Sequence, residues 1–157
     1  MEQITNKIED AGPRGLGGWL VLVIIGLFIT VFKLGYGIIN NYIPLTEQLH
    51  LIPDQGFLKM VIYSELIINI LFVIYAIILL ILLFNYSRFF PILIIAFYIS
   101  NLVFVLGDYI IASQIPLLNQ VDLKGDDYKE IIKSIIGTSI WVPYFKVSKR
   151  VKNTFIQ

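Results

Sequence analysis

Four apolar stretches between Leu16 and Phe145 constrain this chain more than any motif in it, because their length and lack of charge make lipid the solvent. The clearest run over Leu16 to Phe32, Leu66 to Tyr86 and Phe89 to Gly107, with no Asp, Glu, Lys or Arg inside them and Arg88 between the last two. A hydrocarbon core of about 30 Å needs roughly 20 mostly apolar residues per helix. Hydrophobic residues make up 57% of the chain, above the roughly 45–50% of soluble domains. The expected fold is an all-α membrane protein, a four-transmembrane-helix antiparallel bundle with a short basic C-terminal tail.

The same residues narrow the chemistry. With a net charge of +1 and no long basic run in its body, the chain offers no nucleic-acid surface. It has no cysteine, which excludes disulfides, thiolate catalysis and Cys-ligated metals. The single histidine, His50, has no partner at a ligand spacing, and neither a cofactor nor a metal is expected. Residues 1–15 form a polar tail of mixed charge whose first twelve residues lack the basic start and small-residue cleavage pattern of a signal peptide. It is expected to be retained and cytoplasmic.

The transmembrane domain is expected over residues 16–145, with helices at about 17–39, 58–84, 90–111 and 129–145. The first follows the Gly and Pro residues of Gly12-Pro13-Arg14-Gly15, which break regular structure, and places Trp19 at an interface where its amphipathic ring is favoured. Asn40 to Phe57 reads as an exposed loop, with a short surface helix around Thr46 to Leu51. Only Asn85-Tyr86-Ser87-Arg88 separates the second span from the third, so the two should form a tight antiparallel hairpin. Pro116 to Glu130, with Asp122, Asp126, Asp127 and Glu130, reads as a hydrated acidic loop.

The last span is short and carries Lys133, Ser134, Gly137, Thr138, Ser139 and Pro143, so hydropathy alone also allows an interfacial or re-entrant segment. Charge placement favours a crossing. Four crossings put Arg14, Arg88 and the cluster Lys146, Lys149, Arg150 and Lys152 on the cytoplasmic face and the acidic loop outside, as the excess of positive charge in cytoplasmic segments requires. Three would strand the basic tail, residues 146–157, on the wrong side.

Ionisable residues inside spans are costly and face the bundle interior or water. In an antiparallel hairpin turning near Arg88, Glu65 and Asp108 lie about equally far from the turn, both on the order of 30 Å from the cytoplasmic end at 1.5 Å per residue. Lys33, roughly 24 Å from that end by the same rise, approaches the same layer, and Lys133 enters from the outer end of the fourth helix. Three readings are open: exposure at the headgroup boundary with Lys33 extended along its own stem, a structural ion pair, or a proton or ion relay. Asn69, one turn inward of Glu65, and Asn101, two turns inward of Asp108, are amides that seek partners across helices in lipid and so set register.

Small residues recur at four-residue spacing in Gly26 with Thr30, Ala96 with Ser100 and Ser134 with Thr138, which would let helices approach closely within one bundle. Catalytic patterns are absent: there is no H-E-x-x-H, G-x-S-x-G or Walker sequence. Gly15-Leu16-Gly17-Gly18 is glycine-rich but no Lys-Ser or Lys-Thr follows, so it is not a phosphate cradle. An enzyme is not expected.

Trp141, Tyr144 and Phe145 precede the basic tail, the pattern of an aromatic belt followed by a cytoplasmic anchor. Val147, Val151 and Phe155 then recur every four residues with Lys149, Arg150 and Lys152 around them. A stop-transfer anchor is the plain reading; an amphipathic helix lying on the membrane as a lipid sensor or a partner-docking element is the sharper one. The opening Gly15-Leu16-Gly17-Gly18-Trp19-Leu20 and the closing run from Ile140-Trp141-Val142-Pro143-Tyr144-Phe145 to Phe155 resemble the DUF2569 family of small bacterial membrane proteins. The resemblance spans about Pro13 to Phe155 and includes Phe90-Pro91 and Asn101. It implies four helices in the bacterial cytoplasmic membrane, and it supplies no catalytic residue. Since both motifs fall at the cytoplasmic ends of the first and fourth helices, with Trp19 and Trp141 near one interface, they are expected to pack those ends together.

The leading functional reading is a non-enzymatic accessory or interaction protein working through its cytoplasmic rim and basic tail, in contact with lipid and with a membrane-protein partner or a second copy. The runner-up is a small oligomeric proton- or cation-coupled transporter using Glu65 and Asp108, with Lys33 as countercharge. A membrane enzyme comes third.

Overall fold

A computed structural model of the protein describes residues 14–49, 56–114 and 124–155. The described residues are helical or turn, with no strand among them. In chain order they form α1 (Trp19–Gly37), a π-helical turn (Ile38–Tyr42), α2 (Ile43–Gln48), α3 (Gly56–Phe84), α4 (Phe90–Ala112), α5 (Lys124–Val147) and α6 (Lys149–Phe155). They fall into two compact units. Gly17–Asn85 is one, and Tyr86–Gln157 joined by the segment ahead of Gly17 is the other.

Three helices are long and apolar enough to cross a membrane: Trp19–Gln48, Gly56–Phe84 and Phe90–Ala112. No more than 28% of the most apolar stretch of any of them is buried. Side chains such as Phe28, Phe32, Ile67, Leu71, Ile92 and Val103 are exposed instead. Apolar surface on that scale marks a surface for lipid rather than water, and the protein is a membrane protein.

In the first unit α1 packs along α3. Leu20, Val23 and Leu27 form the buried stripe of α1, and Leu58, Val61, Ile62, Asn69, Ala76, Leu79, Leu80 and Leu83 that of α3, the three-and-four spacing of a single helix face. The loop expected from Asn40 is a correction. The helix runs on to Gln48 because Pro44 falls in the first turn of α2, where its missing N–H leaves no bond unmade. Just before it the backbone widens, the Ile43 N–H reaching five residues back to the Ile38 carbonyl, so the proline ring does not collide with the preceding turn. Asn40 Nδ2 adds a bond to the Tyr36 carbonyl at 3.0 Å. The end of the surface helix expected around Thr46 to Leu51, with His50 and the rest of that loop to residue 55, lies outside the described residues, as do residues 1–13 and the first half of the acidic loop, 115–123.

The Gly26–Thr30 pair is a second correction. A Cβ built at Gly26 meets nothing within 4 Å, and Thr30 Oγ1 donates to the Gly26 carbonyl of its own helix at 2.9 Å. Among the described residues no neighbour needs the missing side chain there. Gly26→Ala is therefore expected to raise stability by about 0.5–1 kcal/mol, the helix-propensity gain, seen as a higher melting temperature in detergent. A lower one would reveal a helix pressed against this position.

The link from α3 to α4 is short. Tyr86 adopts a left-handed conformation with φ of 53°, and Ser87 opens the next helix, its Oγ accepting from the Phe89 N–H at 3.3 Å and its carbonyl from the Phe90 N–H at 3.0 Å. Pro91 follows in the first turn of α4.

In the second unit α4 and α5 are antiparallel, because their contacts run in opposite directions. Phe90 meets Phe145, Tyr98 meets Trp141, Asn101 meets Ser134 and Tyr109 meets Tyr128. α5 has 24 residues and starts at Lys124 rather than at the expected 129. Asp126, Asp127 and Glu130 were expected to mark a loop through Glu130, but carboxylates are favoured in the first turns of a helix by its dipole, so their polarity is no signal of irregular chain. α5 is not among the three helices apolar enough to span by composition.

Candidate functional site

The feature that most distinguishes the second unit is the end where α4 begins and α5 finishes. Ser148 interrupts the helix there: its N–H still bonds the Tyr144 carbonyl at 3.0 Å, while its Oγ accepts from the Val151 N–H at 3.4 Å. That is the N-cap arrangement, a hydroxyl serving the third residue of a new helix. α6 thus starts as a new helix, with Val151, Thr154 and Phe155 buried. The stripe expected to include Val147 does not form, since Val147 is 72% exposed and lies on the far side of the cap.

The buried face of α6 is consumed inside the protein. Phe155 lies with its ring centroid 4.9 Å from that of Phe90, and Phe90 meets Phe145 edge-on at 5.8 Å. All three rings are almost fully buried. An amphipathic tail laying these apolar side chains into lipid is therefore corrected: the face that would do so is already packed against the protein.

The glycine-rich opening meets the same cluster. The Gly15 N–H donates to Thr154 Oγ1 at 3.0 Å, across 139 residues of sequence. Thr154 is 6% exposed, so the bond satisfies a hydroxyl otherwise costly to bury. Gly15 has φ of 87°, in the left-handed region, which explains the glycine without any phosphate. The bond joins the first residue of the glycine-rich motif to the closing run within this unit. Thr154 was not singled out from sequence; its only signal was its place three residues after Val151, on one helix face.

Trp141 and Tyr144 join this end to α4. Trp141 stacks on Tyr98 at 6.5 Å and 16° between planes, and Tyr144 stands edge-on to Trp141 and to Phe145 at 5.8 and 5.4 Å. Both are half-buried. Trp19, on α1 in the other unit, is exposed.

Toward the middle, polar groups face each other across the helix pair. Asn101 Nδ2 donates to Ser134 Oγ at 3.1 Å, and Thr138 Oγ1 to the Tyr98 carbonyl at 3.2 Å. The Ser134–Thr138 stripe thus lies against α4, and the Asn101 amide bonds across to a neighbouring helix. Single Asn101→Ala and Ser134→Ala variants should each lose stability, and the double variant should lose less than their sum, with a coupling of about 0.6–2 kcal/mol. Strict additivity would contradict a shared bond.

The expected intramembrane layer is divided between the units. Lys33 is exposed on α1, Glu65 is half-buried on α3, and Asp108 is half-buried on α4 in the other unit. Asn69, buried, sends Nδ2 to the Glu65 carbonyl of its own helix at 2.9 Å, so that amide bond is local rather than across helices. Among the described residues no group of three or more His, Asp or Glu could hold a metal.

Six of this unit's cations gather beside the rings of Phe90, Phe145 and Phe155. Arg14 adjoins Gly15 and so lies beside α6; Arg88, over the Phe89 ring at 5.1 Å, is two residues from Phe90; Lys146 follows Phe145; and Lys149, Arg150 and Lys152 are on α6 itself. All but the half-buried Arg150 are exposed. The described acidic residues of this unit whose side chains are placed, Asp108 and Glu130, flank the opposite end, marked by the Tyr109–Tyr128 hydroxyl contact of 2.9 Å.

Gly15 of the opening motif, the closing motif and the Phe90-Pro91 start of α4 thus have structural partners in one unit. Residues 13–156 match the family described as protein of unknown function, DUF2569. The chain belongs to the DUF2569 family. No curated protein and no solved structure matches it. In this DUF2569 protein Gly15 meets the closing run through a hydrogen bond to Thr154, and Phe90 meets it through the rings of Phe145 and Phe155.

Proposed function

We propose that this DUF2569 protein crosses the bacterial cytoplasmic membrane four times as an antiparallel bundle, with both termini cytoplasmic, and is a non-enzymatic accessory protein whose working surface is its cytoplasmic rim. The fourth crossing is α5. At 1.5 Å per residue it is about 36 Å long, enough for the hydrocarbon core, and its Ser134 and Thr138 bond inward to α4, which lowers the cost of a less apolar span. Six Lys and Arg lie at one end of the second unit against Lys124, Lys129 and Lys133 toward the other, the excess that the orientation rule for loops and tails puts on the cytoplasmic side.

The observation that carries the rim reading is the Gly15–Thr154 bond with the Phe90–Phe155 contact. Together they make a fixed platform from the two ends of the chain, where an unpacked stop-transfer tail would need neither. A platform of this kind presents exposed Lys146, Lys149 and Lys152 in a set geometry to a membrane-protein partner. Photocrosslinking from position 147, which is exposed, should in cells capture one defined partner, lost when Lys146, Lys149 and Lys152 are replaced by Gln with Val151, Thr154 and Phe155 kept. Capture unchanged by those replacements would remove the rim from the reading.

A further inference from the structure

The depth of α6 is set by what it touches. Phe155 packs on Phe90 at 4.9 Å, and Phe90 is the first residue of a helix that is apolar enough to span. A helix held against the first turn of a span lies where hydrocarbon gives way to headgroups. With Val151, Thr154 and Phe155 buried and Lys149 and Lys152 exposed, its apolar side is satisfied by the protein while its charged side, three residues apart on one face, is turned outward at that level. Arg14 and Arg88 are brought to the same end by the Gly15–Thr154 and Phe90–Phe155 contacts. Asp108 and Glu130, the described acidic residues of this unit with placed side chains, flank its other end, so neither neutralises the group.

We infer that the basic side of α6, with Arg14 and Arg88, binds the phosphate headgroups of anionic phospholipids in the leaflet that surrounds it. This deepens the rim reading by naming a lipid partner for the same surface, and it rests on that reading only for which leaflet is meant. Unlike an amphipathic anchor, which inserts apolar side chains, this is a purely electrostatic seat on an already folded helix. Affinity therefore depends on headgroup charge and on salt, and little on acyl packing.

The test uses the purified full-length protein and native mass spectrometry with phosphatidylglycerol and phosphatidylcholine of identical acyl chains. Phosphatidylglycerol should be retained in preference, the preference should fall as salt is raised, and the combined Lys149→Gln, Arg150→Gln and Lys152→Gln variant should lose on the order of 100-fold in affinity at low salt, given the general effect of each basic residue near an anionic surface. Lys33→Gln should leave it unchanged. Equal retention of the two lipids, a preference insensitive to salt, or full retention by the triple variant overturns the proposal. So does complete competition by soluble glycerol phosphate, which would make the site one for free phosphate. Loss of the crosslinked protein partner by the triple variant with lipid retention intact overturns it too, in favour of an acidic protein surface. The salt titration on the unmodified protein decides even where the variant does not fold. Failure of the cytoplasmic placement is read separately, by an impermeant reagent reaching Lys152 from outside intact cells.

Discussion

Alanine in place of Phe90 is expected to destabilise the protein by about 3–5 kcal/mol, the range for emptying a buried phenylalanine site, and to expose residues 146–157 to protease. Phe90 is fully buried and touches both Phe145 and Phe155, so its removal opens the contact between α4 and α5 and the contact that holds α6. Phe155→Ala isolates the second of these. It should free the tail to protease while the α4–α5 pair keeps its helical signal, and the two substitutions together should cost less than their sum because they delete one shared ring contact. A melting temperature unchanged in Phe90→Ala, or a tail still protected in Phe155→Ala, would show that α6 is held by something other than this cluster.

The second large effect is expected at Gly18. Its backbone, at φ 58° and ψ −133°, lies in a region that only glycine occupies without strain, so Gly18→Ala should cost about 1–3 kcal/mol. This residue turns the chain into α1, and its carbonyl accepts from the Val21 N–H at 3.1 Å. Gly26→Ala supplies the contrast, since the same chemical change in a helical backbone with open space is expected to act in the opposite direction. Melting both variants in the same detergent separates glycine retained for conformation from glycine that merely occurs. Equal and small effects at the two positions would dismiss the turn as a reason for the Gly17-Gly18-Trp19 opening.

Hydropathy located α3 and α4 well because both are long and carry few charges, Lys59 and Glu65 in the first and Asp108 in the second, and Ser87 and the Phe90-Pro91 pair punctuate the boundary between them. It stopped α1 too soon, at the Asn40-Asn41 and Pro44 run. These residues read as turn chemistry in isolation, yet a single widened turn lets a helix carry proline onward. It began α5 too late, since acidic residues favour a helix start as readily as they favour a loop. For the candidate site, the types and the ends were legible: the cations, Trp141, Tyr144 and Asn101 were all in view. Their partners were not. Asn101 and Asn69 are the same residue type in similar apolar surroundings, but one bonds across to Ser134 and the other to its own helix at Glu65, a difference set by what the neighbouring helix presents.

What the chain determined by itself is its solvent and the positions of its most apolar helices, because the transfer of side chains into lipid is a local property that adds along a run of residues. The tertiary structure alone decided that the tail turns its apolar face inward, that Gly15 meets Thr154, and that cations distant in sequence gather at one end. Those outcomes depend on which surfaces meet after the helices have formed, and a one-dimensional pattern carries no record of the ring that waits at Phe90.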